Sequence, residues 1–87
     1  MRIWISLFKE THMTKDYLAE NNSAETRTHK VFNALEEACK SFDLEVPIWL
    51  ESNIKDFKRN GKTRFTKDCF IEDVEFDYME FQVIEED

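Results

Sequence analysis

Residues 2–9, RIWISLFK, set Ile3, Ile5 and Leu7 on one parity and Trp4, Ser6 and Phe8 on the other, the two-residue period of a β-strand. Apolar side chains on both parities predict a central strand. Beyond the polar Glu10-Thr11-His12 turn, residues 13–20 (MTKDYLAE) alternate less cleanly, but Tyr17 and Leu18 suit a sheet, so the two segments read as a hairpin.

The period then changes. Thr28, Val31, Phe32, Leu35, Cys39 and Phe42 recur at helical spacing, with Lys30, Asn33, Glu37 and Lys40 opposite, which predicts an amphipathic helix over 24–42. Asn22 or Ser23 is the expected N-cap, with Glu25 behind it in the first turn. The helix should stop near Asp43, ahead of Pro47, which disfavours helical backbone at Val46.

Residues 46–71 carry Val46, Ile48, Trp49, Leu50, Ile54, Phe57, Phe65, Phe70 and Ile71, too much apolar surface for a solvated loop. A short helix capped by Ser52 would aim Ile54 and Phe57 the same way, and Gly61 would follow it in the left-handed conformation that glycine adopts without strain. Lys62, Arg64 and Thr66 then alternate with Thr63 and Phe65 as a short strand. Residues 73–86 read as a long final strand. Phe76 and Tyr78 share one parity and Met79, Phe81 and Val83 the other, so a bulge near 78/79 or burial of both faces is implied.

These elements define the expected fold class: α+β, in the order ββα(α)β, with an antiparallel sheet of three or four strands against one long helix and the 46–60 segment completing the core. Eighty-seven residues make a single domain, 1–87, with one modest core. Composition changes that picture little: 41% hydrophobic and 14% aromatic residues exclude a disordered chain. Apolar runs are too short to span a membrane, and Lys9 interrupts the first before a signal-peptide core develops. Cys39 and Cys69, widely spaced and outside any Cys-x-x-Cys motif, fit free thiols in a reducing cytoplasm.

Charge is unevenly placed. Residues 55–67, KDFKRNGKTRFTK, hold six bases and one acid, a net of +5, and the remainder holds six bases and eighteen acids, a net of −12. Lys58 and Arg59 would complement the carbonyl end of the short helix. Arg64 facing Glu75 or Asp77 would pair this block with the final segment, since residues 68–87 hold nine acids and no base. Internal neutralisation is the leading reading of the block. The competing reading makes Lys55, Lys58, Arg59, Lys62, Arg64 and Lys67 a phosphate-binding set, with Phe57 or Phe65 available to stack on bases, although no helix-turn-helix, RNP, KH or zinc-finger pattern accompanies it.

Trp4 and Phe8 pose the second surface question. They either pack beneath Trp49, Leu50 and Phe57 or stand open as a protein interface. An exposed edge, the second or the last strand, would add a route to dimerisation. Catalysis is not expected: no nucleophile sits beside a base, and one glycine cannot build a phosphate loop. Glu25 and His29, four apart, could share a helix face but lack further metal ligands. No cofactor and no small-molecule substrate is evident.

The stretches TRTHKVFNALEEAC, IWLESNIKDFKRNGKTRF and FIEDVEFDYMEFQVIEED resemble a family of short uncharacterised proteins from clostridial-type bacteria. The resemblance covers nearly the whole chain and implies a bacterial cytoplasmic origin, with no activity to carry across. The expected function is therefore a cytoplasmic protein-interaction or regulatory module, its acids Glu72, Asp73, Glu75, Asp77 and Glu80 steering it towards basic partners. Nucleic-acid binding through residues 55–67 is the alternative.

Overall fold

A computed structural model describes residues 1–86. Its elements run β1 (Arg2–Lys9), β2 (His12–Glu20), α1 (Arg27–Phe42), α2 (Glu51–Asn60), β3 (Lys62–Thr66), a 3₁₀ turn (Lys67–Cys69) and β4 (Tyr78–Glu85). The strands form one antiparallel sheet in the order β2-β1-β4-β3. The fold is α+β. The sheet takes the upper strand count anticipated, because the short basic segment does pair with the last one. That last strand lies inside the sheet, so β2 and β3 are the edges.

Register gathers the aliphatic row of β1 and its apolar partners on one face. Ile3, Ile5 and Leu7 of β1 stand opposite Val83, Phe81 and Met79 of β4, and Phe81 and Met79 in turn face Thr63 and Phe65 of β3. Both helices cover this face. α1 packs against β1 and β2 and α2 against β3, and Ile3, Ile5, Leu35, Phe65, Met79 and Phe81 are closed to water between them. Each such side chain gains roughly 1.5–3 kcal/mol from burial. Trp49, in the linker between the helices, meets Phe65 and Phe81 edge-on at 4.9 and 5.8 Å.

Four local expectations need correction. The cap of α1 is Thr26, whose Oγ1 accepts from the His29 N–H at 3.2 Å. Asn21 Oδ1 and Ser23 Oγ instead accept from N–H groups two residues on, at Ser23 and Glu25, and this turn chemistry delays the helix. Glu25 binds Asn33 Nδ2 at 2.9 Å.

The buried stripe of α1 is rotated from the one expected. Val31, Leu35, Cys39 and Phe42 face in, but Ala34, Ala38 and Lys30 join them and Phe32 is 46% exposed. Small alanines mark the line of closest approach to the sheet. Lys30, expected on the polar side, is 4% exposed, in a crevice it shares with Glu20 and Glu37.

α2 begins one residue ahead of Ser52, with Leu50 as its N-cap. The Leu50 N–H donates to Asn53 Oδ1 at 3.1 Å, so Asn53 supplies the polar partner expected of Ser52. Gly61 ends the helix at φ 69° as anticipated, and Asp43 ends α1 in the same left-handed region at φ 58°.

Finally, the strand expected from residue 73 starts at Tyr78. Phe70 and Phe76, both buried, meet edge-on at 5.2 Å ahead of it and close one end of the core. The clash of parities between Phe76 and Met79 is resolved because Phe76 precedes the strand. The register irregularities lie elsewhere: between Leu7 and Phe8 the partner strand β2 carries one extra residue, Thr14, and between Arg2 and Ile3 β4 carries one extra residue, Ile84.

Candidate interaction surface

With both helices on one face, the other face of the sheet is uncovered. Trp4, Ser6 and Phe8 of β1 occupy its centre. Beside them lie Leu18, Asp16 and Met13 of β2 and Gln82, Glu80 and Tyr78 of β4, with Lys62, Arg64 and Thr66 at the β3 edge. Trp4 and Phe8 therefore do not pack beneath Trp49, Leu50 and Phe57, which lie on the far side of the sheet. They remain half-buried by their strand neighbours. Parity separates Trp4 from Ile3 and Ile5, but only the placement of the helices decides which side stays open.

The polar groups of this face are largely matched. Trp4 Nε1 donates to Asp16 Oδ2 at 2.9 Å. Arg2 lies 3.6 Å from Glu20, and Arg64 lies 3.6 Å from Glu80. Phe8 stacks on Tyr78 with ring centroids 5.1 Å apart, and the Arg64 guanidinium sits 4.5 Å from the Tyr78 centroid. Apart from exposed Lys62 at the β3 edge, the main surface left for contact is apolar: Trp4 beside Leu18, and Phe8 beside Met13, with the two β2 residues about two-fifths exposed.

The basic block does not form one surface. Lys55 pairs with Glu51 one helical turn back at 3.4 Å, and Lys58 lines a groove between the helices. Lys62 and Arg64 point to the uncovered sheet face, while Arg59 ends α2 and Lys67 opens the 3₁₀ turn. Arg64 meets the final strand as expected, but through Glu80, its register partner, in place of Glu75 or Asp77. Phe57 and Phe65 are core residues.

The acids also have structural work. Asp77 Oδ2 accepts from the Glu10 N–H at 2.8 Å, and Glu72 Oε1 accepts from the Glu45 N–H at 3.1 Å. Asp73 and Glu75 are exposed in the same loop.

On the helical side, Arg27, Val31, Phe32, Trp49, Ile54, Phe57 and Lys58 border a groove of about 320 Å³. Arg27 donates from Nε and Nη2 to both carboxylate oxygens of Glu86 at 3.1 Å, which raises its pKa further, and its guanidinium lies 5.2 Å from the Phe57 ring centroid. Sequence reasoning missed this groove because it treated Phe32 as core.

Both thiols are buried. Burial pushes the Cys39 pKa up to about 11, away from nucleophilic use at neutral pH. Cys69 Sγ donates to Asn53 Oδ1 at 3.4 Å. Among the described residues no cluster of three or more His, Cys, Asp or Glu side chains could hold a metal ion, and no helix is long and apolar enough to cross a membrane. In comparisons with known proteins, no family model, no curated sequence and no solved structure matches this chain.

Proposed function

We propose that this chain is a non-catalytic protein-interaction module of the bacterial cytoplasm, and that it binds its partner through the uncovered sheet face centred on Trp4 and Phe8. One observation carries the reading: the sheet presents two aromatic residues and their apolar neighbours Leu18 and Met13 on a face that no element of the chain covers. Aromatic anchors ringed by matched polar groups are the pattern of binding hot spots. The surrounding acids, Asp16, Glu20 and Glu80 on the face with Glu10 and Asp77 beyond its Phe8 end, favour a partner whose apolar side chains are flanked by Lys or Arg.

The nucleic-acid alternative has less support. Its six cations are spread over several surfaces, two of them are paired with carboxylates, and the rings it would stack on, Phe57 and Phe65, are buried in the core. A stacking platform needs free rings and unpaired cations.

A photo-crosslinking residue at Leu18, with a control at Glu37 on α1, tests the proposal in the native host. A discrete protein adduct from position 18 alone, lost in a folded Trp4→Asp variant, is expected. Equal adducts from both positions, or none, overturn the reading. So does salt-sensitive binding of DNA or RNA in anisotropy measurements at about 50 and 200 mM salt that disappears when Lys58, Arg59, Lys62 and Arg64 are all changed to Gln.

A further inference from the structure

We propose that the groove between α1 and α2 binds a small amphipathic carboxylate, a molecule with an apolar chain or ring and one anionic head. Its volume of about 320 Å³ lies within the range of small-molecule sites. Trp49 and Phe57 form an aromatic floor, and Phe32 and Ile54, 46% and 42% exposed, form the walls. An apolar ligand body would remove these side chains from water.

Charge identifies the head group. The ionisable residues lining this groove are Arg27 and Lys58, both cations, on a chain whose net charge is −7. Four other depressions of the surface are each lined by at least one Asp or Glu. The cationic end already receives a carboxylate: Glu86 meets Arg27 through both of its oxygens at 3.1 Å. Lys58 makes no ion pair among the described residues, and it supplies the cation for the ligand's head. The body then lies along Phe32 and Ile54 against Trp49.

Octanoate and its neutral isostere octanamide are the probes. Amide chemical shifts of the labelled full chain locate the site, and Trp49 fluorescence in a Trp4→Phe background gives the affinity. Octanoate should bind saturably with shifts centred on Val31, Phe32, Ile54 and Lys58, about fivefold more tightly than octanamide. Lys58→Gln should bring octanoate down to the octanamide affinity and leave octanamide unchanged, and Ile54→Ser should weaken both. Both positions are exposed, and the same spectra verify folding. Absence of saturation up to about 5 mM overturns the proposal. Equal affinity for the two probes, a Lys58→Gln variant without effect, or shifts centred elsewhere would overturn it too.

Discussion

Asn53 Nδ2 donates to Thr63 Oγ1 at 2.9 Å in a site closed to water, joining α2 to β3. The same amide group donates to the Arg64 carbonyl at 2.9 Å, and its oxygen accepts from the Leu50 N–H and from Cys69 Sγ. Asn53 is 3% exposed, and every polar atom of its side chain is used. A satisfied buried amide of this kind fixes one arrangement of the elements around it, because any other arrangement strands its donors.

Asn53→Ala should destabilise the protein by about 2–4 kcal/mol, since it leaves the Leu50 N–H and the Arg64 carbonyl without their partner. Thr63→Val, which keeps the volume and removes one bond, should cost about 1–2 kcal/mol. Urea unfolding measures both. Equal and small losses would mean that solvent or a shift of α2 replaces these bonds.

The hairpin between β1 and β2 turns through Glu10 and Thr11, at φ 51° and 70°. Neither residue favours the left-handed region, and Thr is branched at Cβ. The turn is held from outside by Asp77, whose carboxylate accepts the Glu10 N–H while its own N–H donates to the Phe8 carbonyl at 2.8 Å. Thr11→Gly should therefore stabilise the fold by about 0.5–1 kcal/mol. Asp77→Ala should cost about 1 kcal/mol. Thermal unfolding of the single and double variants gives the coupling.

Trp49 Nε1 is shielded from solvent and has no acceptor among the described residues, although the ring meets Phe32, Phe57, Phe65 and Phe81 edge-on. Replacing it by Phe removes volume but also an unsatisfied donor, so the loss should stay below about 1.5 kcal/mol. Trp49→Ala should cost about 3–5 kcal/mol. A Phe variant as unstable as the Ala variant would show that the indole nitrogen is satisfied in solution.

Cys39 makes stability depend on alkaline pH. Its folded pKa, about 11, lies above the ordinary 9.0, so the unfolded chain loses the thiol proton first as pH rises. Stability from this group is complete below about pH 9 and declines towards pH 11, by a few kcal/mol at most. Cys39→Ala should remove that slope from unfolding curves taken across the window. An identical pH dependence in the two proteins would exclude a thiol contribution.

The local pattern determined much of this architecture. Alternation at Ile3, Ile5 and Leu7, helical spacing from Val31 to Phe42, and the single glycine after Asn60 each act over a few residues, and β1, the body of α1 and the end of α2 formed where these signals placed them, while the starts of α1 and β4 came later than expected. The pairing of the basic segment with the acidic final segment was also legible, because opposite charge and matching length are properties of the segments themselves.

Tertiary structure decided what depends on which surfaces meet. Both parities of β1 are apolar, so the sequence could not say which would be covered. Two helices on the Ile3 and Ile5 side buried those residues and left Trp4 and Phe8 at the surface. The inward stripe of α1 followed the line where alanines let helix and sheet approach, which turned Phe32 out and Lys30 in. Asn53 gave no signal along the chain, because apart from the Leu50 N–H its partners Thr63, Arg64 and Cys69 lie ten to sixteen residues away and meet it only after α2 docks on β3. Periodicity reports a residue's neighbours along its own element; which face is covered is set by packing between elements, and that is where both candidate surfaces of this protein arise.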